Sequence, residues 1–469
     1  MFQPELLSPA GSLKNMRYAF AYGADAVYAG QPRYSLRVRN NEFSLDNIQI
    51  GINEAHELGK KFYLVNNIAP HNGKLKTFLK DIEPVIKMGP DALIMSDPGL
   101  IMMVREAHPD MPIHLSVQSN AVNWATVKFW QQQGVERVIL SRELSLDEIE
   151  EIRLKCPDME LEVFVHGALC MAYSGRCLLS GYINKRDPNQ GTCTNSCRWK
   201  YDIHEAKETD MGDIIATHPV QDPAEEAVEI YMPDQKPIDD VVLLQEQGRP
   251  GEYMPAFEDE HGTYIMNSKD LRAVEHVERL VKMGVHSLKI EGRTKSAYYC
   301  ARTAQTYHQA ILDAVANKPF NPKLNNDLTH LAHRGYTEGF LKRHRHGETQ
   351  NYEYGYSKSD TQQFVGEVTL FDSKTNQLTI DVKNKFLVGD ELELMTPKGN
   401  VSFILESMQD NKGNDITDAK GSGHIVIIPF NGELISDLTE KDLSFAVIMR
   451  YLEEGGTTRH PFAQNQSDK

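Results

Sequence analysis

The sequence predicts an α/β protein: a TIM-like (β/α)8 barrel with a long acidic insertion, followed by a small C-terminal antiparallel β-barrel. Three observations point there. Helix, glycine stop and short apolar strand recur as one unit through the first part of the chain. Eight strand-like runs in all alternate with helix-length segments, the count of a closed parallel barrel. Beyond Gln363 the pattern changes to short alternating runs divided by turn residues, which suits antiparallel strands.

The repeated unit is clearest at Tyr22-Gly23-Ala24-Asp25-Ala26-Val27-Tyr28 and at Met88-Gly89-Pro90-Asp91-Ala92-Leu93-Ile94-Met95. It returns as Gln133-Gly134-Val135-Glu136-Arg137-Val138-Ile139-Leu140 and as Met283-Gly284-Val285-His286-Ser287-Leu288-Lys289-Ile290. Glycine suits the left-handed residue that ends a helix, and continuous apolar runs suit strands buried on both faces. Glu5–Leu7, Phe62–Val65, Ile113–Val117 and Leu161–Val165 complete the eight. An open doubly wound sheet has the same periodicity, and the strand count is what favours closure.

Between the seventh and eighth strands, Asp202–Glu260 is rich in proline, lacks sustained periodicity and is expected to be an irregular excursion over the barrel mouth. A helix is expected over Thr303–Ala316. Strands are expected at Phe364–Leu370, Gln377–Val382, Glu391–Met395, Val401–Met408, His424–Ile428 and Phe445–Met449. The expected division is a barrel over 1–335 including the insertion at 202–260, a connector over 336–360, a β-domain over 361–455 and a polar tail over 456–469.

Fifty basic against 66 acidic residues give a net charge of −16. Such an excess argues against a protein that coats nucleic acid by bulk electrostatics. The charge is local, however: Asp202–Glu260 holds 17 acidic residues and three basic ones (Lys207, Lys236 and Arg249), leaving the remainder nearly neutral. The N-terminus has no basic region followed by an apolar stretch. No run approaches the roughly 18 apolar residues of a membrane span. The expectation is a cytoplasmic protein without a membrane partner.

Six cysteines are too few for a disulfide scaffold in a chain of this length. Four of them, Cys170, Cys177, Cys193 and Cys197, fall within 28 residues, while Cys156 and Cys300 stand apart. Clustered thiolates are a ligand set for zinc or an iron–sulfur cluster. The flanking Gly175, Gly191, Thr192, Asn195 and Arg198 belong to loops, which weighs against four merely buried apolar side chains. Tight CxxC knuckles and ferredoxin spacing are both missing, so the pattern alone leaves the metal open. Zinc would suit a noncatalytic RNA-binding or assembly factor.

The segment from Glu162 to Ser180, Glu-Val-Phe-Val-His-Gly-Ala-Leu-Cys-Met-Ala-Tyr-Ser-Gly-Arg-Cys-Leu-Leu-Ser, closely resembles the signature of the collagenase-like peptidase family, number thirty-two. Pro9-Ala10-Gly11, Gly23-Ala24-Asp25-Ala26-Val27-Tyr28, Ser116-Val117-Gln118 and Ile290-Glu291-Gly292-Arg293-Thr294-Lys295-Ser296 also resemble family blocks, in order. The resemblance spans most of 1–345, and the terminal β-domain looks like the family's C-terminal extension. It is strongest to the members that hydroxylate tRNA. This implies prephenate-dependent, oxygen-independent formation of 5-hydroxyuridine at the wobble position. It implies a 4Fe–4S cluster on Cys170, Cys177, Cys193 and Cys197, hence iron–sulfur assembly machinery as a partner. The fourth position, Cys197, is one that some relatives fill from elsewhere in their chains. Peptide hydrolysis, the family's older name, is the competing activity. His56-Glu57-Leu58-Gly59-Lys60 lacks the second histidine of HExxH, and no G-x-S-x-G elbow occurs.

Prephenate is a dianion, so its site calls for guanidinium groups that grip carboxylates in bidentate fashion. Arg142 and Arg293, at predicted strand ends, are the candidates; ion pairs to neighbouring Glu143 and Glu291 are the bland alternative. His166 is a candidate proton shuttle or a core histidine, Gln118 and Asn66 are candidate substrate-positioning groups, and Glu291 is a further catalytic candidate. The direction of Lys289 is left open. Basic groups near aromatics, which suit a splayed anticodon stem-loop, comprise Arg33, Arg37 and Arg39 beside Tyr34. Lys185-Arg186, Arg198-Trp199-Lys200, and Lys342, Arg343 and Arg345 near Tyr352, Tyr354 and Tyr356 complete the set.

Overall fold

A computed structural model describes residues 2–35, 42–68, 70, 72–168, 269–333, 335–342, 361–430 and 438–452, with the backbone of seven short strands between 172 and 265. Its contacts divide into two compact units, one of 1–166, 273–331 and 359–469, the other of 167–272 and 332–358.

The larger unit contains the eight expected strands: β1 (Glu5–Pro9), β2 (Ala26–Gly30), β3 (Lys61–Asn66), β4 (Ala92–Met95), β5 (Ile113–Leu115), β6 (Arg137–Ile139), β7 (Glu160–Ala168) and β8 (Ser287–Ile290). All neighbouring pairs are parallel and consecutive, and β8 pairs with both β7 and β1. Closure therefore excludes the doubly wound alternative. Helices α1 (Leu13–Ala21), α2 (Leu45–Glu57), α3 (Asn72–Lys87), α4 (Pro98–Ala107), α5 (Trp124–Gln132), α6 (Leu146–Lys155), α7 (Val277–Lys282) and α8 (Ala297–Val315) lie between or after the strands. The last begins earlier than its periodicity suggested, because the Ser296 side chain caps it by accepting from the Tyr299 amide. Comparable caps start α1 at Ser12, α4 at Asp97 and α6 at Ser145, the last a capping box with Glu148. The repeat glycines Gly23, Gly89, Gly134 and Gly284 all have positive φ, from 76° to 103°. At Gly23 a β-carbon would also run into the His308 ring. That conformation and crowding explain why glycine recurs there.

In the smaller unit the expected irregular excursion is instead antiparallel sheet. Strands at Tyr201–Glu208, Ile214–Ala216, Val242–Glu246, Tyr253–Asp259 and Gly262–Ile265 form one five-stranded sheet. Its alternation is hidden by acidic residues and prolines inside the strands, such as Pro255 opposite Leu243. The expected connector opens with a short strand, Tyr336–Thr337, parallel to Asp270–Arg272, whereas a further helix, Lys323–Thr329, precedes it in the larger unit.

The C-terminal part is an eight-stranded antiparallel sheet around one apolar core that includes Val365, Leu378, Ile380, Leu392, Leu394, Val426 and Ile448. The expected strand Val401–Met408 is divided into Gly399–Ile404 and Met408–Asp410. This sheet joins the barrel through α1 and α8. Tyr22 Oη donates to the Met395 and Phe445 carbonyls at 3.0 and 2.9 Å. Arg302, fully buried, meets Glu393 at 2.7 Å, and Gln362 donates to the same carboxylate oxygen at 2.9 Å. Burial pushes the Glu393 carboxyl up, but Arg302 and Gln362 override it and hold it below the ordinary carboxylate range.

A buried pair broken on one side leaves an uncompensated charge. Arg302→Met is expected to cost about 3–5 kcal/mol in urea unfolding, with the double variant R302M/E393L recovering most of the loss. Because the Glu393 and Glu5 carboxyls are both depressed in the folded state, their contribution is present above the ordinary carboxylate range. It fades as pH falls through their folded values, so acid titration of wild type and double variant separates the Glu393 share.

Candidate active site at the barrel mouth

The barrel interior is charged. Arg137 on β6 meets Glu5 on β1 at 2.6 Å, Glu162 on β7 at 3.3 Å and Glu160 at 2.7 Å. Tyr63 on β3 donates to Glu5 at 2.6 Å, Ser287 on β8 donates to it at 3.0 Å, and Lys289 reaches Glu162 at 2.8 Å. The Arg137–Glu5 and Tyr63–Glu5 contacts join strands that are not neighbours, which places these side chains inside the ring. Alternation then carries the inward face upward to Tyr28, Phe164 and Lys289.

Lys289 therefore points into the barrel. Its Nζ lies 4.2 Å from the Tyr28 ring centre and 5.5 Å from that of Phe164. Arg142 stacks on Phe164 at 3.9 Å, and Arg293 stands 6.0 Å from Tyr28. Two aromatic rings thus link three cations, one at the centre and two on the rim. Burial lowers the Lys289 pKa while Glu162 opposes the shift. Burial, with Arg137 and Lys289 nearby, drives the His114 pKa well below the ordinary histidine value, so this ring is uncharged.

Close backbone approach positions Arg293. A β-carbon on Gly11 would overlap the Arg293 carbonyl, and one on Gly30 would lie 2.6 Å from its Nη1 and 2.5 Å from Ser35 Oγ. Asn15 donates to the Lys295 carbonyl at 2.9 Å, and Tyr299 donates to that of Glu291 at 2.7 Å. These contacts tie the β8 tip to α1 and α8.

The other expected site residues fall in different surroundings. Gln118 accepts from Ser116 at 3.0 Å, and among the described residues nothing accepts from its Nε2. Asn66 is fully buried, its Nδ2 facing the Leu64 carbonyl at 3.5 Å. His166 is buried against Tyr299 and Tyr307 of α8, with ring centres 5.8 and 5.6 Å away. Tyr307 Oη gives its hydrogen to the Val165 carbonyl at 2.7 Å and accepts from the Ala273 amide at 3.2 Å. His166 Nδ1 lies 3.4 Å from that hydroxyl. Several polar tips serve the loops themselves: Ser96 donates to the Asn67 carbonyl, Ser119 to the Ser96 carbonyl, and Ser141 to Glu143.

Cys177 lies in the strand Arg176–Cys177, paired with Ala172–Tyr173. Cys170, Cys193 and Cys197 lie outside the described residues, as do Arg37, Arg39, Lys185, Arg186, Arg198, Trp199, Lys200, Arg343, Arg345, Tyr352, Tyr354 and Tyr356. Lys342 is described and pairs with Glu338 at 3.3 Å. The remaining two thiols are unsuited to holding metal. Cys300 is buried against the Pro9 carbonyl and pushed up to about 12 by desolvation, and burial also raises Cys156. Among the described residues no helix is long and apolar enough to cross a membrane.

A family model described as peptidase family U32 matches residues 11–351, and one described as the peptidase family U32 C-terminal domain matches 360–450. Tellingly for the whole length, the tRNA hydroxylation protein P of Escherichia coli (strain K12) is 68% identical over 464 residues, 98% of this chain and 99% of that protein. The tRNA hydroxylation protein P of Haemophilus influenzae is 64% identical over 464 residues, 98% of each chain. The 23S rRNA 5-hydroxycytidine C2501 synthase of Escherichia coli is 30% identical over 428 residues, 87% of this chain and 55% of that protein. Both domain models in order, with relatives aligned from end to end, place this chain in peptidase family U32.

Proposed function

We propose that this protein is a tRNA hydroxylase that forms 5-hydroxyuridine at the wobble position, with prephenate as co-substrate and a 4Fe–4S cluster on Cys170, Cys177, Cys193 and Cys197. The names of the two near-full-length relatives support the tRNA reaction. The observation that carries the co-substrate is the cationic array of Arg142, Lys289 and Arg293 around Phe164 and Tyr28.

In this reading the two rim guanidiniums grip the two carboxylates of a dianion, and Lys289, held by Glu162, supplies a positive floor between them. Gln118 offers its Nε2 hydrogens to a substrate oxygen. His166, held against Tyr307 and Tyr299, is the candidate proton shuttle. Asn66 positions the β3 rim from within. Glu291, whose carbonyl is held by Tyr299, is the carboxylate candidate for proton transfer. The cluster, when bound, would supply one-electron chemistry. RNA contacts are assigned to Arg37, Arg39, Arg198, Lys342, Arg343 and Arg345.

Two measurements test this. Anaerobically purified protein is expected to be brown with about four irons per chain, and serine at Cys170, Cys177 or Cys193 to abolish both colour and hydroxylation. A colourless zinc protein overturns the cluster. Arg142→Ala and Arg293→Ala are each expected to raise the KM for prephenate about 10- to 100-fold, the loss of a charge-assisted hydrogen-bonding partner. Lysine at either position should restore little, because the bidentate fork is lost. Unchanged KM in both alanine variants removes the arginines from the pocket.

A further inference from the structure

We infer that the N-terminal half of α3, with Arg33 beside it, is an RNA-backbone docking surface on the rim of the barrel; this rests on the tRNA reading above. Helix α3 exposes Lys74, Lys76 and Lys80, and no acidic residue stands in its first turn. No carboxylate among the described residues lies within ion-pair distance of these three ammonium groups. A helix N-terminus carries partial positive charge, so folding stability alone favours Asp or Glu there and disfavours lysines. Lys74, in the first turn, opposes the local helix, and together with Lys76 and Lys80 it favours an approaching anion.

The β2–α2 loop adds to the same surface. Arg33 adopts φ +69°, a conformation that costs a residue with a side chain energy. Three contacts hold it there. Lys74 Nζ donates to the Arg33 carbonyl at 3.1 Å, the guanidinium meets Asp81 at 3.0 Å, and Tyr34 Oη donates to the same Asp81 oxygen at 2.6 Å. Tyr34 is itself buried edge-on against Phe78 of α3, at 5.3 Å between ring centres. Arg33 and Tyr34 are thereby tied to the helix, and the Asp81 carboxylate that engages them is consumed internally. The Arg33 side chain remains 62% exposed.

Position completes the argument. Helix α3 begins just beyond the C-terminal end of β3, the end of the barrel at which Arg142 and Arg293 stand. A polyanion gripped there brings its neighbouring nucleotides toward the mouth. Tyr34 is buried, so this surface reads phosphates and stacks no bases, unlike the aromatic-flanked basic groups of the connector. A sequence-independent grip of this kind is read through its salt dependence.

The test is the triple variant K74E/K76E/K80E of the full-length protein, with K74R/K76R/K80R as its control. Fluorescence anisotropy with a labelled tRNA transcript, over a series of salt concentrations, gives affinity and salt slope. The glutamate variant is expected to bind at least about tenfold more weakly at moderate salt and to lose about two from the slope, at roughly 0.7–0.9 per phosphate contact. Its far-UV circular dichroism and its rate at saturating tRNA should match wild type, and the arginine variant should bind normally. Equal affinity and slope for glutamate variant and wild type overturn the surface while leaving tRNA hydroxylation standing. A wild-type protein that neither binds nor hydroxylates tRNA overturns the function and this surface together.

Discussion

The guanidinium of Arg137 organises the barrel. It is buried at the centre of the ring, within reach of Glu5, Glu160 and Glu162, and its partners in turn engage Tyr63, Ser287 and Lys289. Buried charges are costly unless every member is satisfied, which makes such a network intolerant of a missing strand or a shifted register. Glu5 shows the balance: burial pushes its carboxyl up, and Arg137 with Tyr63 and Lys61 brings it below the ordinary range. The same contacts extend upward. Glu162 holds Lys289, Lys289 sits between Tyr28 and Phe164, and those rings carry the guanidiniums of Arg293 and Arg142. Fold and candidate site are successive layers of one electrostatic stack.

Much of the architecture was legible in the residues. Glycine stops and buried apolar runs located all eight barrel strands, because a helix terminus and a doubly buried strand each restrict residue choice strongly. The insertion was misread for an equally physical reason. Its strands carry charged residues and prolines, Pro255 among them, and these blur the alternation that marks a strand.

The candidate site was legible in part. Arg142 and Arg293 stand out as charged residues just past strand ends, and the structure puts each against an inward-facing ring. Lys289, Glu162 and Arg137 were less visible because they lie inside runs read as apolar. The available signal was parity: Glu162, Phe164, Ser287 and Lys289 alternate with aliphatic residues, and alternation inside a doubly buried strand separates barrel interior from helix layer. Parity fails at His166. The register slips between Lys289 and Ile290, pairing Ile290 with His166, and that slip gives His166 the company of Tyr299 and Tyr307. The lysines of α3 carried no motif at all; only the packing of Arg33 and Tyr34 against that helix makes a surface of them.

The net charge of −16 is compatible with an RNA partner because most of it belongs to one segment, whereas the described barrel rim carries cations. The account as a whole predicts a single chemical outcome at a single nucleoside. Its most direct measurement is mass spectrometry of tRNA nucleosides from cells lacking the gene, complemented with wild type or with the double variant R142A/R293A. The account predicts that wobble 5-hydroxyuridine and its derivatives disappear on deletion, return with wild type and stay absent with the double variant. Unchanged hydroxylated uridine in the deletion strain contradicts it.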